Sequence, residues 1–185
     1  MATKIVTGKV RFSYVTLAQP KASEEGAEPK YSCVLLIPKS DTATLQKIKA
    51  AIAEAADAFR NRNGAQSLPA NPMTPLHDGD GTKPNSGEPY GPECKGCYVM
   101  SVSSKIKPLM LDSFKNEIAD PNEIYSGCYG RASINFYGYS NRRKGIGAGL
   151  LGVQKLHDGD PLGGVMATAD DFNDGFEDVS DDFLN

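Results

Sequence analysis

Residues 125–139 decide the fold class, and they read YSGCYGRASINFYGY. The even positions are small or apolar, whereas the odd positions carry tyrosines, an arginine and an asparagine. Because side chains alternate between the two faces of a strand, this pattern predicts a β-strand with one face on a core. The outward face should then present six large polar or aromatic side chains: Tyr125, Tyr129, Arg131, Asn135, Tyr137 and Tyr139.

Four other stretches, 4–17, 30–37, 97–106 and 146–155, also predict strands. In the first, the even positions Val6, Val10, Phe12 and Tyr14 should face the core, which leaves Lys9 and Arg11 on the polar face. In the third, Lys105 shares the polar face with two serines, and Lys107 continues it. Cations on these polar faces would lie beside the tyrosines of residues 125–139.

Residues 40–63 predict a helix. Ser40 suits the cap, Asp41 suits the first turn, and apolar residues recur every three or four positions from Leu45 to Phe59. Asn63-Gly64 should end the helix. The next thirty residues, 64–93, hold 6 of the 12 prolines and 5 glycines, so we expect a long surface loop there.

Five main strands with one helix after the second predict a mainly β protein. We expect a five-stranded, OB-fold-like Greek-key barrel with one inserted helix and a long Pro/Gly-rich loop. A two-sheet sandwich has the same strand count and stays open as an alternative. The nucleic-acid-binding domain should span residues 1–165, and residues 166–185 should form an acidic disordered tail.

The 185-residue chain has a net charge of −3, but its charges are unevenly placed. Residues 1–157 hold all 20 Lys and Arg against 14 acids, a net +6, and residues 158–185 hold 9 acids and no base. No apolar run approaches the roughly 18–20 residues of a membrane span, and the first residues lack a signal-peptide core. Four cysteines suit a reducing cytosol better than a disulfide scaffold. The chain is therefore a basic body with an acidic end.

A row of exposed tyrosines beside cations indicates binding of single-stranded nucleic acid. Every base has a π-face that stacks on tyrosine, at about 1–3 kcal/mol per base. The cations of the sheet and of the basic hairpin tip that follows it can neutralise phosphates; the tip residues are Arg142, Arg143 and Lys144. Two alternatives stay open. The tyrosines could stabilise the sheet through cross-strand pairs, or a helix or a second subunit could cover them, as in a homo-oligomeric interaction module.

Residues 170–185 combine acids with spaced phenylalanines, a composition that imitates a short single strand. The residues concerned are Asp170, Asp171, Phe172, Asp174, Phe176, Glu177, Asp178, Asp181, Asp182 and Phe183. Such a tail could compete with DNA for the basic body or recruit a basic partner protein. It could equally be a solubilising tail.

Two other patterns admit different chemistry. Cys94 and Cys97 have zinc-ligand spacing, but a second pair is lacking, and Cys33, Cys128, His77 or His157 would have to converge on them. The repeated Leu-His-Asp-Gly-Asp stretches at 76–80 and 156–160 could hold a divalent ion, which is the basis of the alternative function, a metal-dependent nuclease. Asp-Gly is also a common turn signal, and we favour that interpretation. We therefore expect no catalytic residues, no metal and no cofactor.

The chain resembles a family of bacteriophage single-stranded DNA-binding proteins with an OB-fold and an acidic, aromatic-ended tail. The similarity rests on Lys9–Tyr14, Gly127–Ala132, Gly147–Leu150, Val153–Lys155, Asp158–Gly164 and the tail. It implies protection of single-stranded DNA during phage replication and recombination, without catalysis, in the cytoplasm of an infected bacterium. We also expect replication or recombination proteins as partners of the acidic tail. No individual contact residue follows from this resemblance.

Overall fold

The structure is a computed structural model that describes residues 3–163 and 169–176. Within these ranges the chain forms eight strands, one α-helix and three short 3-10 turns. In chain order the main elements are β1 (Lys4–Val6), β2 (Val10–Lys21), β3 (Lys30–Pro38), α1 (Thr42–Asn63), β4 (Leu76–Asp78), β5 (Cys97–Ser104), β6 (Leu109–Leu111), β7 (Tyr129–Ser140) and β8 (Lys144–His157). The 3-10 turns are Pro92–Cys94, Pro121–Glu123 and Ala169–Phe172.

Five of the strands close into a barrel. Strand β2 pairs with β3 and β7, β3 pairs with β5, and β7 pairs with β8, all antiparallel. A parallel contact between β5 and β8, at Ser103 and Gly149, completes the ring. The mainly β barrel with one helix is therefore confirmed, and a sandwich of two separate sheets does not describe this connectivity.

The alternation of residues 125–139 correctly predicts which side of β7 faces the core. Ala132, Ile134 and Phe136 are buried, whereas the odd positions from Tyr129 to Tyr139 are partly or fully exposed. The core also holds the largest buried side chains of the other barrel strands: Val10, Phe12, Leu17, Leu35, Ile37, Met100, Val102 and Leu150. Burial of these apolar side chains is the main contribution to folding.

The first predicted strand is wrong in two places. The buried Thr7 interrupts it. The Ala132 N–H of β7 donates to the Thr7 hydroxyl, whereas in a continuous strand it would donate to a backbone carbonyl. The alternation consequently shifts, so that Ile5 is buried and Val6 is 41% exposed. Tyr14 also leaves the predicted core face and is 72% exposed, since β2 shifts register between Ser13 and Thr16.

Two other strand boundaries differ from prediction. Strand β7 begins at Tyr129, because a 3-10 turn and Gly127, with a φ of 117°, keep the preceding residues out of the sheet. Tyr125 therefore lies in a turn. Strand β5 ends at Ser104, so the chain from Lys105 to Lys107 is a loop that leads to the unpredicted strand β6.

Helix α1 begins one residue later than the predicted cap implies. Its N-cap is Asp41, whose carboxylate accepts a hydrogen bond from the Thr44 N–H, and Ser40 lies outside the helix. At the other end the helix stops at the predicted Asn63. Phe59 packs against Gly138, where a Cβ would lie 2.5 Å from the ring. The helix thus contacts an even position of β7, on the side opposite the outward tyrosines.

The Pro/Gly-rich segment 64–93 is more ordered than predicted. It contributes β4, which pairs with β5, and a bridge between Thr82 and Pro89. Its glycine at position 79 lies so close to the carbonyl groups of Cys94 and Cys97 that no Cβ would fit. Composition alone misses such order, because it depends on contacts with a strand twenty residues away.

Part of the predicted acidic tail lies in the described ranges. Ala169–Phe172 form the last 3-10 turn, and Phe172 and Phe176 are exposed, as are Asp170, Asp171 and Asp174. The remaining predicted tail residues lie outside the described residues: Glu177, Asp178, Asp181, Asp182 and Phe183. Among the helices of residues 3–163 and 169–176, none has both the length and the apolar character needed to cross a membrane.

Candidate nucleic-acid interface

Two tyrosines at the end of β7 lie against glycines of β8. A Cβ added at Gly147 would be 2.7 Å from Cζ of Tyr137, and one at Gly145 would be 3.0 Å from the Tyr139 hydroxyl. The pairing register sets Tyr137 opposite Gly147 and Tyr139 opposite Gly145. Gly147 therefore leaves the space in which the Tyr137 ring rests, and Gly145 leaves room for Met73 and the Tyr139 hydroxyl. We call Tyr137, Tyr139, Gly145 and Gly147 the tyrosine platform.

The predicted basic tip adjoins the platform. The turn at residues 141–143 joins β7 to β8, and Ser140 pairs with Lys144 at its base. Arg142, Arg143 and Lys144 are all exposed, and within the described residues none lies in an ion pair with a carboxylate. These cations are free to attract phosphate groups next to the platform.

A cleft of about 600 Å³ lies beside the platform, between the β2–β3 connection and β5. Three lysines line it, Lys21, Lys30 and Lys105, together with Thr16, Ala22, Ser23, Ala27, Glu28, Ser32 and Ser103. Ser103 pairs with Gly149, whose Cβ position is 3.6 Å from Cε1 of Tyr137, so the cleft and the platform adjoin. We call this site the lysine cleft.

Sequence reasoning found only one of the three cleft lysines. Lys21 ends β2 and Lys30 begins β3, so the two lysines pair across the hairpin. The signal missed was that the two residues at the base of a hairpin loop lie side by side. In the cleft, Lys105 Nζ lies 2.7 Å from Glu28 Oε2, and this hydrogen-bonded carboxylate raises the pKa of Lys105. Lys105 is consequently cationic at neutral pH.

Tyr129, at the other end of β7, is enclosed by protein groups. Its ring stacks on His157, with centroids 4.8 Å apart and planes inclined by 29°. Two cations also lie over this ring, since Arg11 Cζ is 5.4 Å and Lys9 Nζ is 5.8 Å from its centroid. Arg11 further donates to the carbonyl oxygens of Gly127 and Asp160, at 3.1 and 2.6 Å.

Tyr125 has partners of its own beside Tyr129. Its hydroxyl donates to Asp158 Oδ1 or to the Gly159 carbonyl, at 3.1 and 3.0 Å, and accepts from the Gly159 N–H. The ammonium group of Lys155, which sequence reasoning did not select, lies 5.2 Å from the ring and 2.7 Å from Asp158. Burial raises the pKa of Tyr125. Its hydroxyl thus contacts Asp158 and Gly159, and its ring contacts Lys155.

The predicted row of four tyrosines is therefore divided into two groups. Tyr129 and Tyr137 are eight residues apart on one strand, a distance of about 26 Å. Between them, Arg131 Nε donates to the Thr7 carbonyl at 2.8 Å, and Asn135 accepts from the Thr3 hydroxyl at 3.0 Å. The structure brings together Tyr137, Tyr139 and Lys105, and separates them from Tyr125, Tyr129, Lys9 and Arg11.

Both Asp-Gly-Asp stretches are held by protein partners, and the first of them forms a turn at residues 79–80. Lys39 Nζ lies 2.7 Å from Asp78 and 2.6 Å from Asp80, and its hydrogen bonds lower the pKa of both carboxyl groups. Asp158 is held in the same way by Lys155 and Tyr125, which lower its pKa. Within residues 3–163 and 169–176, no three His, Cys, Asp or Glu side chains are grouped so that they could hold a metal ion.

The predicted cysteine pair, Cys94 and Cys97, is partly or fully buried. All four cysteines are free, and burial raises the pKa of both Cys94 and Cys97. Burial likewise raises the pKa of Cys33 to about 12. These thiols therefore ionise less readily than exposed thiols.

A small closed barrel with exposed rings and free cations on its outer surface is typical of proteins that hold single-stranded nucleic acid. The model of a protein family described as Enterobacter phage Enc34, ssDNA-binding protein matches residues 3–184, and the chain belongs to this family.

The chain is also similar to solved structures and to a curated phage protein. The single-stranded DNA-binding protein of bacteriophage Enc34, in complex with ssDNA, is 35% identical, with a TM-score of 0.75 over 87% of this chain and 90% of that one. Protein p50 of Acyrthosiphon pisum secondary endosymbiont phage 1 is 37% identical over 92% of this chain and 93% of its own. The bacteriophage T7 single-stranded DNA-binding protein gp2.5 shares the fold, with a TM-score of 0.60 at 14% identity, over 89% of this chain and 97% of its own.

Proposed function

We propose that this protein binds single-stranded DNA without preference for sequence and protects it during phage replication and recombination. The observation that carries the proposal is the tyrosine platform, with its two rings beside the lysine cleft and the basic tip. Family membership supports the same function, since the Enc34 relative was solved with ssDNA.

The chemistry of this surface suits single strands. Tyr137 and Tyr139 offer π-faces, which duplex DNA cannot use because its bases are stacked on one another. The cations around them, Arg142, Arg143, Lys144 and Lys105, would neutralise phosphates, which every DNA sequence presents alike. Stacking combined with phosphate contacts gives binding that tolerates sequence.

We also propose DNA contacts for the other predicted residues, but with unequal contributions to binding. Lys9, Arg11 and Arg131 are cations on the same outer side of the barrel, and Asn135 lies between the two tyrosine groups. Lys107 is exposed in the loop after β5. Tyr125 and Tyr129 already contact protein groups, so we assign them the smaller share of base stacking.

We further propose that residues 1–165 are the binding domain and that 166–185 act as an acidic tail. The tail would regulate binding by competing with DNA, or recruit replication or recombination proteins. We assign the protein no enzymatic activity and place it in the cytoplasm of the infected host. The lysine partners of Asp78, Asp80 and Asp158 support a turn role for these carboxylates over a nuclease role.

Titration of fluorescently labelled oligo-dT tests the proposal. The full-length protein and a variant that lacks residues 170–185 should both bind at low salt, and affinity should fall steeply as salt is added. Absence of binding by both proteins at low salt would overturn the proposal. The same samples with Mg²⁺ or Mn²⁺ should leave the oligonucleotide intact, and cleavage that disappears in Asp78→Asn and Asp158→Asn variants would establish the nuclease instead.

A further inference from the structure

Tyr14 has a backbone conformation that aromatic residues rarely adopt. Its φ is 45°, and it lies in a bulge of β2, where the pairing with β3 shifts register between Ser13 and Thr16. Such left-handed conformations cost energy for any residue with a bulky side chain, and they concentrate at functional sites. A feature of this kind persists only when surrounding contacts hold it.

The surrounding contacts do hold this bulge. The N–H of Val15, which the bulge takes out of the β2–β3 ladder, donates to Ser126 Oγ at 3.0 Å. On either side of the bulge, Phe12 and Leu17 are fully buried, so the strand is anchored in the core before and after it. The consequence is that the Tyr14 ring, which simple alternation would bury with Phe12, is 72% exposed.

The bulge that carries this exposed ring adjoins the lysine cleft. Thr16, two residues along β2, lines the cleft, and it belongs to a row of paired residues that runs across the sheet to Gly149 through Ser32 and Ser103. Tyr137 lies against Gly149 at the far end of this row. The path runs from β2 through β3, β5 and β8 to β7. At about 4.8 Å per strand spacing, its length is about 19 Å.

We propose that Tyr14 is a base-stacking residue and that single-stranded DNA crosses the lysine cleft between Tyr14 and the tyrosine platform. The inference rests on the proposed function and extends its surface to β2. The cations of the cleft favour a nucleic acid as the occupant: Lys21, Lys30 and Lys105, the last of them beside Glu28, would face the phosphates while bases stack at both sides. Sequence alternation does not indicate this role, because it assigns Tyr14 to the core face.

Substitutions that suit the local backbone test the inference without disturbing the bulge. Tyr14→Gly and Tyr14→Asn both tolerate positive φ and remove the ring, whereas Tyr14→Phe keeps the ring and removes the hydroxyl. Phe114→Ala, which removes a ring that is 84% exposed in the turn after β6, is the control. Circular dichroism would establish that each variant is folded before oligo-dT is titrated.

We expect Tyr14→Gly and Tyr14→Asn to weaken oligo-dT binding roughly 5- to 150-fold, with an unchanged salt slope because no charge is lost. Tyr14→Phe and Phe114→Ala should bind like the wild type. Wild-type affinity in a folded Gly or Asn variant, or an equal loss in Tyr14→Phe or Phe114→Ala, would overturn the inference. If the wild type itself fails to bind, the proposed function fails; loss confined to the ring-less Tyr14 variants supports both.

Discussion

Tyr137 lies with its ring over Gly147 of the neighbouring strand, so closely that a Cβ on that glycine would be 2.7 Å from Cζ of the ring. Gly147 is thus part of the site although it has no side chain. Two residues further along β8, a Cβ on Gly149 would meet its nearest neighbours at ordinary contact distances of 3.5 and 3.6 Å. Substitution of Gly147 can therefore be compared with the same substitution of Gly149.

Gly147→Ala should weaken binding to oligo-dT about fivefold or more, because the new methyl group pushes the Tyr137 ring out of its resting position. The stability of the protein should change by less than about 1 kcal/mol, since the displaced atoms are the movable end of a side chain. Gly149→Ala is the control and should bind within about twofold of wild type. Equal affinities for both variants would show that the position of the ring is unimportant.

Removal of the two arginines of the basic tip should reduce the dependence of binding on salt. Each phosphate contact on single-stranded DNA contributes about 0.7 to the slope of log affinity against log salt, so Arg142→Gln with Arg143→Gln should lower the slope by about 1.4. A double variant on the exposed face of α1, Lys47→Gln with Arg62→Gln, changes the net charge equally. A slope that falls by the same amount in this control would assign the effect to net charge alone.

Tyr129 and Tyr137 should respond differently to substitution by leucine. Tyr129→Leu removes the stacking on His157 and the contacts with two cations, so we expect the free energy of unfolding to fall by about 1–3 kcal/mol in urea titrations. Tyr137→Leu should leave stability nearly unchanged and lower affinity for oligo-dT. The reverse pattern would mean that Tyr129 is the main stacking residue.

Acid should remove the contribution of Lys39 to stability. Its hydrogen bonds lower the pKa of Asp78 and Asp80, so the contribution is present above the unfolded value of about 4 and is lost as pH falls through the lower folded values. Between pH 5 and pH 2, the free energy of unfolding measured in urea should therefore fall less steeply in an Asp78→Asn/Asp80→Asn variant than in wild type. Asp57→Asn, on α1, should show the steep wild-type dependence.

Deletion of residues 170–185 should raise the affinity for oligo-dT, most strongly at low salt, because seven acids that compete with phosphates are removed. Replacing only the tail acids by Asn and Gln should reproduce this gain if competition is electrostatic. Replacing only Phe172, Phe176 and Phe183 by Ser would test for stacking by the tail. Unchanged affinity in all three variants would leave partner recruitment as the role of the tail.

Much of the barrel could be predicted from local patterns, since burial on one face imposes a period of two on any strand. This rule correctly assigns the core face of β7, and spacings of three and four residues correctly assign α1. The rule fails at Val6 and Tyr14, where Thr7 and the β2 bulge shift the alternation. Such shifts depend on hydrogen bonds to β7 and Ser126, more than 100 residues away.

The sequence by itself determined that this is a mainly β chain with outward tyrosines, a basic body and an acidic end, because composition and alternation are properties of neighbouring residues. Only the tertiary structure decided which rings are available. Tyr129 is enclosed because strand register brings it to His157, whereas Tyr137 stays accessible because the same register sets it opposite a glycine. Register joins residues that are distant in the chain, so no local pattern contains it.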